Sequence, residues 1–232
     1  MSAAEILRRL RRLGSPARAR GVASFFKTGP GQYGEGDRFL GIRVPVIRRL
    51  TREYRDVPER TVLSLLRSEW HEVRLLALCL LVDRHEGGND LEQQRIFDLY
   101  LRHRAWVDNW DLVDASAAQI AGPHFRRGAR GVRERLARSP RLWDRRIAVV
   151  STYHDIRLGE FGPTLRLARC LFKDEQDLIH KAVGWMLREV GKRDRRTLER
   201  FLTTHASRMP RTMLRYAIER FPEPARRRYL RA

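Results

Sequence analysis

The chain is 232 residues long, enough for one large domain or two small ones, and its 48 Lys+Arg against 28 Asp+Glu leave a formal net charge of +20. Hydrophobic residues at 42% and charged ones at 33% describe a globular protein with a heavily charged exterior, and no apolar run approaches the length of a membrane-spanning helix. Arginine dominates the cations and its planar fork matches phosphate oxygens, so the charge argues for nucleic acid as partner and against a protein–protein scaffold, with arginine-rich coding behind only part of the excess.

Strand signals are nearly absent. Apolar–polar patterns of helical period predict helices over 3–13, 16–26, 44–55, 59–67, 71–84, 91–104, 107–121, 124–137, 141–155, 161–172, 176–190, 195–207 and 210–220. The Gly-rich stretch 27–38 is the one long irregular loop; it lacks the Gly-Lys-Ser/Thr ending of a phosphate loop and reads as flexible.

The helices repeat. His71-Glu-Val-Arg-Leu-Leu-Ala-Leu78, Val107-Asp-Asn-Trp-Asp-Leu-Val-Asp114, Trp143-Asp-Arg-Arg-Ile-Ala-Val-Val150 and Leu178-Ile-His-Lys-Ala-Val-Gly-Trp185 begin 36, 36 and 35 residues apart. Each is followed by a further amphipathic helix. Two helices per mid-thirties period is the mark of an all-α solenoid of tandem HEAT-like helical hairpins. The expected architecture is a single repeat domain over 1–232, clearest over 71–207, forming a curved slab with a basic concave face.

Equivalent positions of stacked repeats form a ladder across one face. The fourth position holds Arg74, Trp110, Arg146 and Lys181; the eighth holds Leu78, Asp114, Val150 and Trp185. With Arg145 and Arg188 nearby, the cations read as a phosphate-binding stripe, against the plainer alternative of a solvated face with i,i+4 ion pairs such as Asp177–Lys181. Trp110 and Trp185 are either core residues or indoles that stack on sugars and bases in a basic groove. Trp110 and Asp114 are one helical turn apart and project from one face. In a cationic groove Asp114 is expected to be ionised, suited to stabilising positive charge or orienting water, although Asp108 or Asp111 is the alternative exposed acid.

The seven histidines are scattered, with no His/Cys spacing for a metal and no Ser or Cys nucleophile motif, so neither metal nor cofactor is expected. Cys79 and Cys170 sit in apolar runs and read as buried thiols in a reducing compartment. The N-terminus is Arg-rich without an apolar leader core, which points to a cytoplasmic, nucleoid-associated protein. Polar terminal helices are compatible with a monomer.

Three of these segments resemble a known family. Trp110-Asp-Leu-Val-Asp114, Trp143-x-x-Arg146-x-Ala148 and Lys181-Ala-Val-Gly-Trp-Met-Leu-Arg-Glu189 are similar to motifs of the AlkD family of DNA alkylation repair proteins, as is Phe25-Phe-Lys27 followed by Phe39-Leu-Gly-Ile42. The similarity runs in order over nearly the whole chain. It implies a HEAT-like solenoid that cups duplex DNA and excises cationic N3- or N7-alkylated purines. By position it implies Asp114 as catalytic carboxylate, Trp110 and Trp185 as the aromatic pair at the lesion, and Arg146 as groove arginine. Phe25, Lys27 and His154 are carried over as further DNA contacts. The chain departs from the family at Phe25, where the compared member has tyrosine, at Asp177 and Leu178, where it has aromatics, and at His154, where it has lysine. Some relatives of this fold bind DNA without excising bases, so the alternative is a non-catalytic protein recognising bent or branched DNA.

Overall fold

The structure, a computed structural model, describes residues 1–231, and among them regular secondary structure is helical throughout. The chain divides into two compact units, the first spanning Met1–Ser116 and the second running from Ala117 onward.

The first unit contains α1 (Ala3–Leu13), α2 (Pro16–Phe25), α3 (Val44–Glu53), α4 (Glu59–Leu66), α5 (His71–Gly87), α6 (Asp90–Arg102) and α7 (Trp110–Asp114). Helix α1 starts at a capping box, in which Ser2 accepts from the Glu5 amide while Glu5 reaches back to the Ser2 amide. Helix α5 is central, packing against α3, α4, α6 and α7. Its apolar residues run all round rather than along one stripe: Val73, Leu75, Leu76, Ala77, Leu78, Leu80 and Leu81 are all buried.

The second unit contains α8 (Ala117–Arg127), α9 (Arg130–Ala137), α10 (Leu142–Arg157), α11 (Gly162–Cys170), α12 (Asp177–Arg193), α13 (Arg195–His205), α14 (Arg211–Ala217) and α15 (Glu223–Arg231). Helices α8, α10, α12 and α14 pack side by side in one layer; α9, α11 and α13 cover it as the second member of each hairpin. Two glycines allow the close approach within the first layer. A Cβ on Gly184 would come 2.5 Å from the Met213 carbonyl oxygen on α14, and one on Gly122 would come 2.4 Å from the Cβ of His154. Tandem helical hairpins of the expected period are therefore the building units.

Two expected helices are broken; that over 124–137 is divided at Gly128–Ala129, its first residues ending α8 before α9 starts at Arg130. The pattern over 107–121 predicts a continuous helix, but residues 107–109 are not helical, α7 is five residues long, and the chain turns at Ala115–Ser116 before restarting as α8. Asn109 lies in extended conformation, and its side-chain oxygen accepts from the Trp110 amide at 2.8 Å, which starts α7 late. At the other end the Ser116 hydroxyl donates back to the Leu112 carbonyl at 2.7 Å and meets the Tyr100 hydroxyl at 3.1 Å. Such back-bonding competes with the helix ladder and bends it. Trp110 is thus the first residue of its helix, whereas Arg74 and Arg146 lie a turn inside theirs, so the four-membered row is not in register at Trp110.

No helix among the described residues is long and apolar enough to cross a membrane. Helix α15 lies beyond the last helix that the pattern predicts, because its apolar residues are few: Ala225, Tyr229 and Leu230.

Candidate active site

In the first unit, Trp110 and Asp114 stand at the two ends of α7, both half-buried, one turn apart on one face. Trp110 is held by aromatic rings from the end of α2. Phe26 stacks on it with centroids 4.9 Å apart and planes 9° apart, and Phe25 meets it edge-on at 5.9 Å. Each such pair contributes about 1 kcal/mol beyond its buried area. Phe26 is buried, but Phe25 is 67% exposed, so α7 and α2 together offer an aromatic shelf beside the Asp114 carboxylate.

Beneath this shelf lies a buried cluster of ions. His71, the first residue of α5, places Nδ1 2.6 Å from Asp37 and Nε2 2.8 Å from Asp111 of α7. Burial alone would push the His71 pKa down, but the hydrogen bonds and charges of Asp111 and Asp37 raise it to about 9, so the ring is an imidazolium at neutral pH. Burial pushes the Asp37 carboxyl up, and the His71 hydrogen bond, His71 and Arg74 charges and Asn109 amide outweigh it, holding the carboxyl below its usual range. Arg74 donates to Asp37 at 2.8 Å and to the Ser68 carbonyl at 3.0 Å, with Asp108 3.2 Å away. Asn109, wholly buried, donates to Asp37 at 2.9 Å while capping Trp110. The cluster therefore ties the N-terminus of α7 to the start of α5.

The loop 27–38 supplies Asp37, and it is not a loose tether. Gly34 donates to the Lys27 carbonyl and Gly31 to the Glu35 side chain. The segment after it is pinned as well: the His71 amide donates to the Arg38 carbonyl at 2.8 Å, and the buried Glu72 carboxylate accepts from the amides of Leu40, Gly41 and Ile42 at 2.8, 2.7 and 3.1 Å. The expectation of flexibility is corrected by these partners.

The expected cation stripe is also redrawn. Arg74 is 4% exposed and spent on the ion cluster, so it does not present its charge outward. In the second unit Arg146 is 5% exposed and donates to the Leu178 carbonyl at 2.8 Å, joining α10 to the first turn of α12. Arg145, its side chain 14% exposed, forks onto Asp174 at 2.6 and 3.2 Å and caps the carbonyls of Ser139 and Pro140. Arg188 pairs with Glu219. Lys181, 38% exposed, pairs with Asp177 at 2.7 Å, the i,i+4 bridge that the plainer reading named. His154 is neutral at pH 7, because burial and then the charges of Arg157, Arg126, Arg133 and Arg127 lower its pKa to about 4; it brings no positive charge. Lys27 is exposed, in a left-handed turn with φ of 53°. The two cysteines differ from expectation: Cys79 is half-buried and Cys170, at the end of α11, is exposed.

Trp185 is half-buried on α12, with Tyr153 of α10 6.3 Å away and Arg193 5.5 Å over the Tyr153 ring. Tyr153 escaped the sequence reading, although its place seven residues after Arg146 puts it two turns along the same face. Among the described residues no group of three or more His, Cys, Asp or Glu is arranged to hold a metal ion.

A family model described as DNA alkylation repair enzyme matches residues 6–221, nearly the whole chain and including α2, α5, α7, α10 and α12. The chain belongs to the DNA alkylation repair enzyme family. A solved structure of an Enterococcus faecalis protein described as a predicted DNA alkylation repair enzyme superposes with a TM-score of 0.68 over 90% of this chain and 97% of its own. At 16% identity that likeness speaks for the fold. No curated protein matches the chain. As a member of the DNA alkylation repair family the protein has a role in DNA repair, with DNA as its substrate or partner.

Proposed function

We propose that the protein is a monofunctional DNA glycosylase that hydrolyses the N-glycosidic bond of cationic N3- or N7-alkylated purines in duplex DNA. The observation that carries this reading is the α7 helix, which sets an indole and a carboxylate on one turn with its start locked by Asn109, Asp37 and His71. An alkylated purine already bears positive charge. When its bond to C1′ breaks, the electron pair returns to the base nitrogen, the base leaves neutral, and the sugar becomes an oxocarbenium ion. No general acid is needed. Asp114 stabilises that cation and orients the water that attacks C1′, whose proton passes to the carboxylate and on to solvent. The face of Trp110 stabilises the same charge through its π system, and Phe25 contacts the nucleotide beside it; Trp185 is assigned to the lesion by the family resemblance alone. Lys27 and Lys181 serve the phosphates, while Arg146, Arg145, Arg188 and Arg74 act by shaping the helices that carry the site. The protein works without cofactor, as a monomer on DNA in the cytoplasm.

The test is release of free base from a duplex carrying N7-methylguanine. Asp114→Asn should lower the single-turnover rate by about 100-fold or more, as removal of a transition-state electrostatic partner does. Release by the native protein no faster than by Asp114→Asn sinks the enzyme reading. A second reading, DNA binding without excision, is favoured by the departures from the family pattern at Phe25, Asp177, Leu178 and His154, the last of which is neutral at pH 7. Equal affinity for alkylated, normal and junction duplexes with no base release would establish it.

A further inference from the structure

The second unit holds a cavity of about 420 Å³ between α9 and α11, the helices of its covering layer. Neither Tyr153 nor Trp185, nor Arg146 or Lys181, lines it. Its floor is apolar, formed by Phe125, Ala137 and Leu167, and its wall carries six arginines against three acids. Two of the arginines are neutralised, Arg126 by Glu160 and Arg133 by Asp155 at 2.8 Å. Arg130, Arg138, Arg166 and Arg169 make no ion pair among the described residues, which leaves four guanidinium groups around one opening.

A second observation concerns Arg133. The residue is 5% exposed, lies over the Phe125 ring at 5.2 Å, and has its Nε buried without a hydrogen-bond partner. Burial first, then the nearby charges of Arg166 and Arg130, pull its pKa down against the support of Asp155. Like charges gathered round a buried arginine with an unused donor are costly unless an anion offsets them. The volume lies within the range of small-molecule sites, where an apolar lining holds the body of a ligand and a few polar groups orient it.

We propose that this cavity binds a small amphipathic phosphate, an apolar ring or chain carrying a phosphomonoester head. The body rests on Ala137, Pro163 and Leu167, and the head is gripped by the forks of Arg130 and Arg166 at the opening. The occupant bridges two successive hairpins of the second unit, and the site is distinct from the α10–α12 face that carries Trp185.

Cys170 lines the same cavity and is exposed, so it reports occupancy directly, while half-buried Cys79 in the first unit serves as internal control. The experiment is iodoacetamide alkylation of the full-length protein, read per cysteine by mass spectrometry, with 1-naphthyl phosphate as probe. The probe should slow alkylation of Cys170 in a saturable way and leave Cys79 unchanged. The Arg130→Gln/Arg166→Gln variant should need about tenfold more probe for the same protection, the loss expected for charged hydrogen bonds to phosphate. Both positions are on the surface, and an unchanged circular dichroism spectrum verifies the fold. Equal protection by 1-naphthol or by inorganic phosphate overturns the amphipathic assignment. Protection by duplex DNA but not by the probe, or no protection at all, overturns the site.

Discussion

At the level of single residues, His71 explains why α7 stays where it is. It is itself buried and carries a proton between two carboxylates, each from a different segment of the chain. Because its pKa is raised from 6.5 to about 9 on folding, the proton is bound more tightly in the folded protein. The resulting stabilisation is fully present below about pH 6.5 and disappears as pH rises through about 9. A shift of that size corresponds to about 3 kcal/mol. Urea midpoints measured from pH 6 to 10 should fall over this window for the native protein and much less for His71→Gln. A native midpoint that runs parallel to the variant's over that range contradicts a charged His71. At neutral pH the variant should itself be destabilised by about 3 kcal/mol, since Asp37 and Asp111 lose the cation between them.

His71 and Asp37 were hard to see in the sequence for a definite reason. The residues that make the cluster are 34 and 40 positions apart, and helical periodicity speaks only of neighbours one or two turns away. Arg74 shows the same limit. Its repeat position said which side of α5 it leaves from, but whether it meets solvent or a carboxylate depended on Asp37 in a loop with no periodic pattern. Arg145 is the counterpart in the second unit, with Asp174 29 residues downstream.

Among the helices, α12 and α14 show how the repeat closes up. Gly184 sits in the middle of Lys181-Ala-Val-Gly-Trp185, where helix propensity disfavours it, because α14 crosses at van der Waals contact with its backbone. Gly184→Leu should force the helices apart and cost about 2 kcal/mol. For a protein of this size that lowers the melting temperature by roughly 4–8 °C, measurable by calorimetry. A melting temperature within a degree of the native value would mean that the layer is looser than its geometry implies. Helix starts and ends agree with the sequence pattern within a few residues for α1 through α6 and α10 through α14. The exceptions are α7, which departs because a serine hydroxyl and an asparagine cap outcompete the helix ladder where the apolar pattern is continuous, and the α8–α9 pair, whose break falls at Gly128–Ala129 rather than at 122–123.

For the whole molecule, the net charge of +20 is the property that most directly governs its partner. Many of the arginines nearest the aromatic residues are paired internally, so attraction to DNA is a sum over the remaining surface rather than the work of one row. Affinity for undamaged duplex should fall by about 100-fold or more between 50 and 200 mM salt, since each phosphate contact releases counterions. Fluorescence anisotropy checks this, and a flat salt dependence would remove the electrostatic basis of DNA binding.

The amino-acid sequence by itself determined the all-α class, the mid-thirties hairpin period and the pairing of Trp110 with Asp114 on one turn. These are local properties, written in propensity, spacing and charge. Only the tertiary structure decided which arginines face outward, that α7 begins at Trp110, that the Gly-rich loop delivers Asp37 to His71, and that a cavity lined by arginines opens between α9 and α11. Those outcomes turn on which distant carboxylate or ring reaches a given side chain first, and burial then fixes the charge state it keeps.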